Sequence, residues 1–188
     1  MLLFEDKIPN NRIAFSAKEI DISKRLSIDP NWLMGIMYHE SGLNPAAYNP
    51  NGGATGLIQF MPSTATSLRT TTSALRLMSN VQQLDYVYAY FKPYTGRIKN
   101  IYDLFMITFF PIAIGKSDDW VFETKKISRS KIAQANPAFD LNKDGQITVG
   151  EWKQYLKSWF EKRKIDPSLF VSAGISIGGI LFGTGLFF

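Results

Sequence analysis

Glu40 is the residue in this sequence best placed to move a proton. It lies at the end of a stretch, Asp29 to Gly42, that reads as one short helix. Asp29 can cap that helix, Pro30 suits its first turn, and Gly42 suits its C-terminal end. Leu33, Ile36, Met37 and Glu40 fall at i, i+3, i+4 and i+7, so they share one face. That face is apolar until its last member. Apolar neighbours remove water from a carboxylate, and the negative end of the helix dipole opposes its charge, so both favour the protonated acid. An acid that keeps its proton near neutral pH is what general acid catalysis needs. An ordinary helix-end glutamate facing water would show the same spacing, and spacing alone does not choose between the two. His39, one helical step away, is expected to point away from Glu40 and has no role in this reading.

A second constellation lies a hundred residues further on. Asp140, Asn142 and Asp144 stand at positions 1, 3 and 5 of a twelve-residue loop, with Gly145 at 6, Gln146 at 7, Ile147 at 8, Thr148 at 9 and Glu151 at 12. This is the spacing of an EF-hand calcium loop. Side-chain oxygens at the odd positions, the Gln146 backbone carbonyl, Thr148 directly or through water, and a bidentate Glu151 would surround the ion. Gly145 suits the sharp turn. A metal-free turn rich in Asp and Asn is the alternative. One such loop without a second suggests a structural calcium clamp more than a sensor.

The rest of the chain must position these groups. Ser16 with Glu19 has the pattern of a capping box and predicts a helix to about Leu26, after an N-terminal arm over residues 1–15 that is either an extended lead or a docking arm. Residues 43–58 carry Asn44-Pro45, Asn49-Pro50 and Asn51-Gly52-Gly53, which predicts a long turn-rich loop. Helices are expected from Pro62, from a Ser79 cap with Val81, Leu84, Val87, Tyr88 and Phe91 as its apolar stripe, and from an Asn100 cap into a nearly all-apolar run that Pro111 ends. Residues 120–135 read as a basic helical segment, and a further helix follows Glu151. No run alternates convincingly as a strand, so the fold class is all-α.

Composition narrows the chemistry. The 188 residues hold no cysteine and a single histidine, which excludes thiol catalysis, cysteine zinc sites and a His-rich metal centre. Net charge is +5 and the pI about 9.3, a balance that suits polyanionic partners. No basic stripe interleaved with aromatics marks a nucleic-acid module, so no nucleic-acid partner is expected. The opening MLLFEDK does not look like a secretory signal. Leu169 to Phe188 carries no charge, and as a helix would rise about 30 Å, the thickness of a bilayer core. Its glycines at GxxxG spacing would allow self-association. This predicts a C-terminal transmembrane anchor over 165–188, with the basic residues Lys157, Lys162, Arg163 and Lys164 on the cytoplasmic side.

Glu40-Ser41-Gly42, Asn44-Pro45, Gly53-Ala54-Thr55-Gly56-Leu57-Ile58-Gln59 and Met61-Pro62-Ser63-Thr64-Ala65 form a two-part motif. On these residues the chain resembles the soluble-type lytic transglycosylases with a goose-lysozyme-like fold, above all the version found in bacteriophage virions. The resemblance covers 16 to about 135, with an EF-hand-like unit over 136–164 beyond it. It implies cleavage of the β-1,4 bond between N-acetylmuramic acid and N-acetylglucosamine in peptidoglycan, giving a 1,6-anhydro product. It implies Glu40 as the catalytic acid and base, and substrate contacts from Ser41, Asn49, Gln59, Met61 and Phe110. Asn49 replaces a usual serine, and Phe110 a usual tyrosine whose hydroxyl reaches the catalytic glutamate; Tyr38 or Tyr102 could supply that hydroxyl instead. The expected setting is a membrane-bearing virion or the bacterial inner membrane, with the wall opened when a phage infects or leaves the cell and other virion proteins as partners. The competing expectation is a non-catalytic peptidoglycan-binding virion protein.

Overall fold

A computed structural model of the chain describes residues 1–166. Among these residues there are eight α-helices: α1 Arg12–Leu26, α2 Pro30–Ser41, α3 Pro62–Ser67, α4 Thr72–Leu77, α5 Asn80–Phe91, α6 Ile101–Phe109, α7 Arg129–Ala135 and α8 Val149–Glu161. Pairing between extended segments is limited to isolated bridges, so the described part is helical as expected. None of these helices is long and apolar enough to cross a membrane. The expected anchor, apart from its first two residues, lies outside the described residues.

The helix carrying Glu40 forms for the reasons visible in its sequence. The Asp29 carboxylate accepts the Asn31 N–H at 2.7 Å, Pro30 fills the first turn, and Gly42 closes the helix at φ 63°. Leu33, Ile36 and Met37 have no exposed surface, so the apolar face is the buried one. Helix α2 packs against α1 on one side and α6 on the other, while α5 lies along α1. Helix α8 closes the core over α2. The contact at Gly35 is close: a methyl group there would stand 3.5 Å from the Phe160 ring, at ordinary van der Waals distance.

Two expectations are corrected. Helix α1 opens at Arg12 rather than Ser16, so Ser16 and Glu19 are interior residues and form no capping box. Of the two readings of the first residues, the docking arm is the one found: Leu3 donates its N–H to Asn31 at 2.8 Å, and Phe4 stacks on Tyr38 with centroids 3.8 Å apart. The basic segment is helical only from Arg129. Before it, Phe122 donates to the Ile147 carbonyl and Val149 to that of Trp120, each at 2.9 Å. Those bonds hold 120–122 extended beside the 140–151 loop. The short helix α4, capped by Thr71, was not anticipated; its six residues are too few to show a period.

Glu19 has a consequence for stability. It is wholly buried; the Ser23 hydroxyl donates to its Oε1 at 2.8 Å, and Oε2 has no partner. Burial pushes its carboxyl up to about 8 from an ordinary value near 4.5, with the charge of Asp29 adding to the shift. The folded state therefore holds a proton that the unfolded chain releases above about 4.5, and stability falls as pH rises from there to about 8. Glu19→Gln should raise the melting temperature by about 5 °C or more at pH 9 and change it little at pH 4. Equal shifts at both pH values would show that the buried acid is not the cause.

Candidate active site

The site is built where the end of α2 meets the loop over residues 43–61. Ser41 joins them: its hydroxyl lies 2.9 Å from the carbonyls of both Met37 and Leu57. Within the loop, Thr55 and Phe60 exchange backbone hydrogen bonds at 3.0 and 2.7 Å, and the Thr55 hydroxyl and the Gly56 N–H both donate to Ala47. The turn between Thr55 and Phe60 holds Gln59 at φ 52°, a left-handed conformation uncommon for a side-chain-bearing residue. That backbone presents Gln59 and Met61 on one rim.

The loop is fastened from beneath by Gln83, a fully buried amide on α5. Its Nε2 donates to the carbonyls of Pro45 and Leu75 at 2.6 and 2.7 Å, and its Oε1 accepts the Leu57 N–H at 2.9 Å. Gly56 is required above it. Its φ is 78°, and a Cβ would stand 2.5 Å from the Gln83 Oε1. Gln83 was missed in the sequence, although Asn80 and Gln83 interrupt a face continued by Leu84, Val87 and Phe91.

Two cavities open at this junction. One, of about 230 Å³, is lined by His39, Glu40, Thr108 and an aromatic wall that includes Phe109, Trp152 and Tyr155. The other, about 60 Å³, is lined by Gln59, Met61, Tyr90 and again Thr108. Thr108 is common to both, so Glu40 and the Gln59–Met61 rim flank one residue of α6. Among the residues lining the two cavities, Glu40 is the one acid. Its side chain keeps 24% of its surface open to solvent.

His39 does not point away. Its Nδ1 lies 3.3 Å from Glu40 Oε1, and its ring is held edge-on between Phe105 and Trp159. The two side chains converge because α2 ends there and both lean into the space left by α6 and α8. Tyr90 is a second residue the sequence did not single out. Its hydroxyl donates to the Ile107 carbonyl at 3.0 Å. Burial, then Tyr94 and the negative charge of Glu40, push that hydroxyl up to about 12.

The other expected site residues are dispersed. Asn49 sits in an exposed turn, where its side chain accepts the Asn51 N–H. Phe110 packs among Phe109, Trp120 and Phe122 and lines neither cavity. Tyr38 is stacked on Phe4, and Tyr102 faces Trp152 from outside the Glu40 cavity. His39 is thus the polar group in contact with Glu40, and Tyr90 lies close enough to feel its charge.

The loop from Asp140 to Glu151 is wound tightly. Asp140 accepts the N–H groups of Asp144 and Gly145, Asp144 accepts that of Gln146, and Gly145 has φ 80°. Glu151 reaches the Asn142 N–H with one oxygen and the N–H and hydroxyl of Thr148 with the other. As arranged, no three carboxylate or imidazole groups among the described residues are grouped to hold a metal; the loop's carboxylates accept its own N–H groups.

Residues 19–106 match the family model for the transglycosylase SLT domain. That stretch is thus an SLT lytic transglycosylase domain, with peptidoglycan as the implied substrate. The match contains Glu40, Ser41, Asn49, Gln59 and Met61, and stops short of Phe110 and the 140–151 loop. A comparison with curated proteins found no match. Gln83→Leu would orphan three buried backbone groups beneath the motif loop. Urea unfolding should show a loss of about 3 kcal/mol or more. A loss under about 1 kcal/mol would mean that the loop is fastened elsewhere.

Proposed function

We propose that this protein cleaves the β-1,4 bond between N-acetylmuramic acid and N-acetylglucosamine by lytic transglycosylation. The observation that carries this reading is the placement of Glu40, which lines the larger of two adjoining cavities and is the one acid among the residues lining either, within the stretch that matches the SLT domain. The glycan would cross Thr108, with one sugar toward Gln59 and Met61 and the next toward the aromatic cavity. Glu40 would give its proton to the bridging oxygen as the bond to the anomeric carbon breaks, with the substrate's acetamido group as internal nucleophile. The resulting carboxylate would take the proton from the sugar's own C6 hydroxyl as that oxygen closes on the anomeric carbon and displaces the acetamido oxygen from it. The acid is then regenerated, no water is consumed, and no second carboxylate is needed, in contrast to two-carboxylate glycosidases. His39 can donate from Nδ1 to Oε1 whenever Glu40 is ionised.

The 140–151 loop supports a structural calcium site in this reading. Asp140, Asn142, Asp144, Thr148, Glu151 and the Gln146 carbonyl would hold the ion, which supplies fixed positive charge and no chemistry of its own. The hydrogen bonds that wind the loop and the left-handed turn at Gly145 bring these residues into one short segment. The uncharged run over 169–188 supports attachment to lipid. Together with the resemblance to virion-borne enzymes, it favours a role in opening the wall from a membrane-bearing phage particle.

Digestion of purified peptidoglycan followed by muropeptide analysis tests the reaction. The wild-type chain should yield 1,6-anhydro ends, and Glu40→Gln should reduce their release about 100-fold or more. Reducing ends instead would mean hydrolysis, and no release from wild type would leave a glycan-binding module. Excess calcium should raise the melting temperature above that in chelator by about 3 °C or more. Coincident melts would rule the clamp out.

A further inference from the structure

The chain's single histidine stands beside the acid. Its Nδ1 lies 3.3 Å from Glu40 Oε1, and no other hydrogen bond to the Glu40 carboxylate is found among the described residues. We propose that His39 is a positioning residue: its Nδ1–H holds Oε1 and reserves Oε2 as the oxygen that exchanges a proton with the substrate. The inference deepens the proposed function and rests on Glu40 as the acid.

Three nearby hydroxyls are committed elsewhere. Those of Tyr90 and Thr108 donate to the carbonyls of Ile107 and Phe105, and that of Ser41 lies 2.9 Å from two carbonyls. Tyr155, which lines the same cavity, makes no hydrogen bond to Glu40. The imidazole ring is held between Phe105 of α6, with centroids 5.4 Å apart, and Trp159 of α8, at 4.9 Å. Trp159 is itself fixed, with the Arg163 guanidinium 3.9 Å over its ring and Phe160 edge-on at 5.0 Å. Phe105 lies within the matched stretch 19–106 and Trp159 beyond it, so residues after the domain help set the plane of the imidazole. Turning the ring over would put Cδ2, a carbon, where Nδ1 stands, and the carboxylate would lose its donor. A neutral imidazole carries one N–H. Facing a carboxylate oxygen, that proton belongs on Nδ1, because two acceptors opposed at this distance would repel. With Oε1 accepting this bond, the acid proton sits on Oε2. It passes from Oε2 to the bridging oxygen, and the bond from Nδ1 strengthens as negative charge appears on the carboxylate. Oε2 then takes the proton of the C6 hydroxyl. No proton passes through His39, so the balance of the reaction is unchanged.

Because the chain has one histidine, nitrogen NMR reads its tautomer without overlap. Full-length protein in mild detergent, at a pH where the ring carries one proton, should show that proton on Nδ1, and Glu40→Ala should move it largely to Nε2. Cleavage of soluble glycan strands tests the role. His39→Phe keeps a ring between Phe105 and Trp159 but has no donor. It should lower kcat about tenfold or more and change KM less than about twofold, the loss expected when a hydrogen bond to the charged carboxylate is removed. His39→Asn, whose Nδ2 can take the place of Nδ1, should recover most of that rate. A proton on Nε2 in the wild type, a tautomer unmoved by Glu40→Ala, a wild-type rate in His39→Phe, or equal losses in both His39 variants would overturn the proposal. The wild-type tautomer decides even if a His39 variant fails to fold. Cleavage by wild type with the proton on Nε2 overturns the positioning role alone. No cleavage by wild type with the proton on Nδ1 overturns the enzymatic reading, and with it the role of His39, and leaves the hydrogen bond standing.

Discussion

The site depends on one buried amide. Gln83 has no contact with solvent and satisfies two carbonyls and one N–H belonging to segments far apart in sequence. A buried backbone group without a partner costs about 1–3 kcal/mol, so the motif loop cannot leave Gln83 cheaply. Gly56 lets the backbone approach the amide, and Ser41 ties the same loop to the last turn of α2. The distance between the Glu40 carboxylate and the Gln59–Met61 rim is thereby set by buried hydrogen bonds rather than by the loop's own rigidity. The left-handed Gln59 is a local expense that this framework sustains.

The second constraint is aromatic. Helix α8 buries Trp152, Leu156 and Phe160 against α2 and α6, and Trp159 holds the edge of His39. The residues after the matched domain thus share its hydrophobic core and wall the cavity beside its acid. If calcium binds between Phe139 and Trp152, it braces two walls of that cavity at once, which makes the loop relevant to the site as well as to stability.

Much of the framework was legible because it rests on local chemistry. The Asp29 cap, the Gly42 stop, the Ser79 cap and the Asn100 cap each appear where the sequence placed them. The apolar face ending in Glu40 was readable from spacing, and the motif loop from its Asn, Pro and Gly residues. What failed depended on tertiary context. The Ser16–Glu19 pattern satisfies a capping rule, yet Asn11 opens the helix a turn earlier and Glu19 is carried into the core. His39 was placed opposite Glu40 by helical angle alone, but two long side chains at a helix end can lean together. Phe110 was assigned to the site by resemblance, while its ring is drawn into the cluster with Trp120 and Phe122. Tyr90, which feels the charge of Glu40, comes from α5, and the approach of that helix to Glu40 is something no single stretch encodes.

The central claim is that a glycan lies across Thr108 with its scissile bond at Glu40. A crystal structure of full-length Glu40→Gln with a hexamer of N-acetylglucosamine tests it most directly. The account predicts a bridging oxygen within hydrogen-bond distance of the substituted side chain, with sugars in the Gln59–Met61 rim on one side and the aromatic cavity on the other. A hexamer bound away from residue 40, or one that leaves both cavities empty, would contradict it.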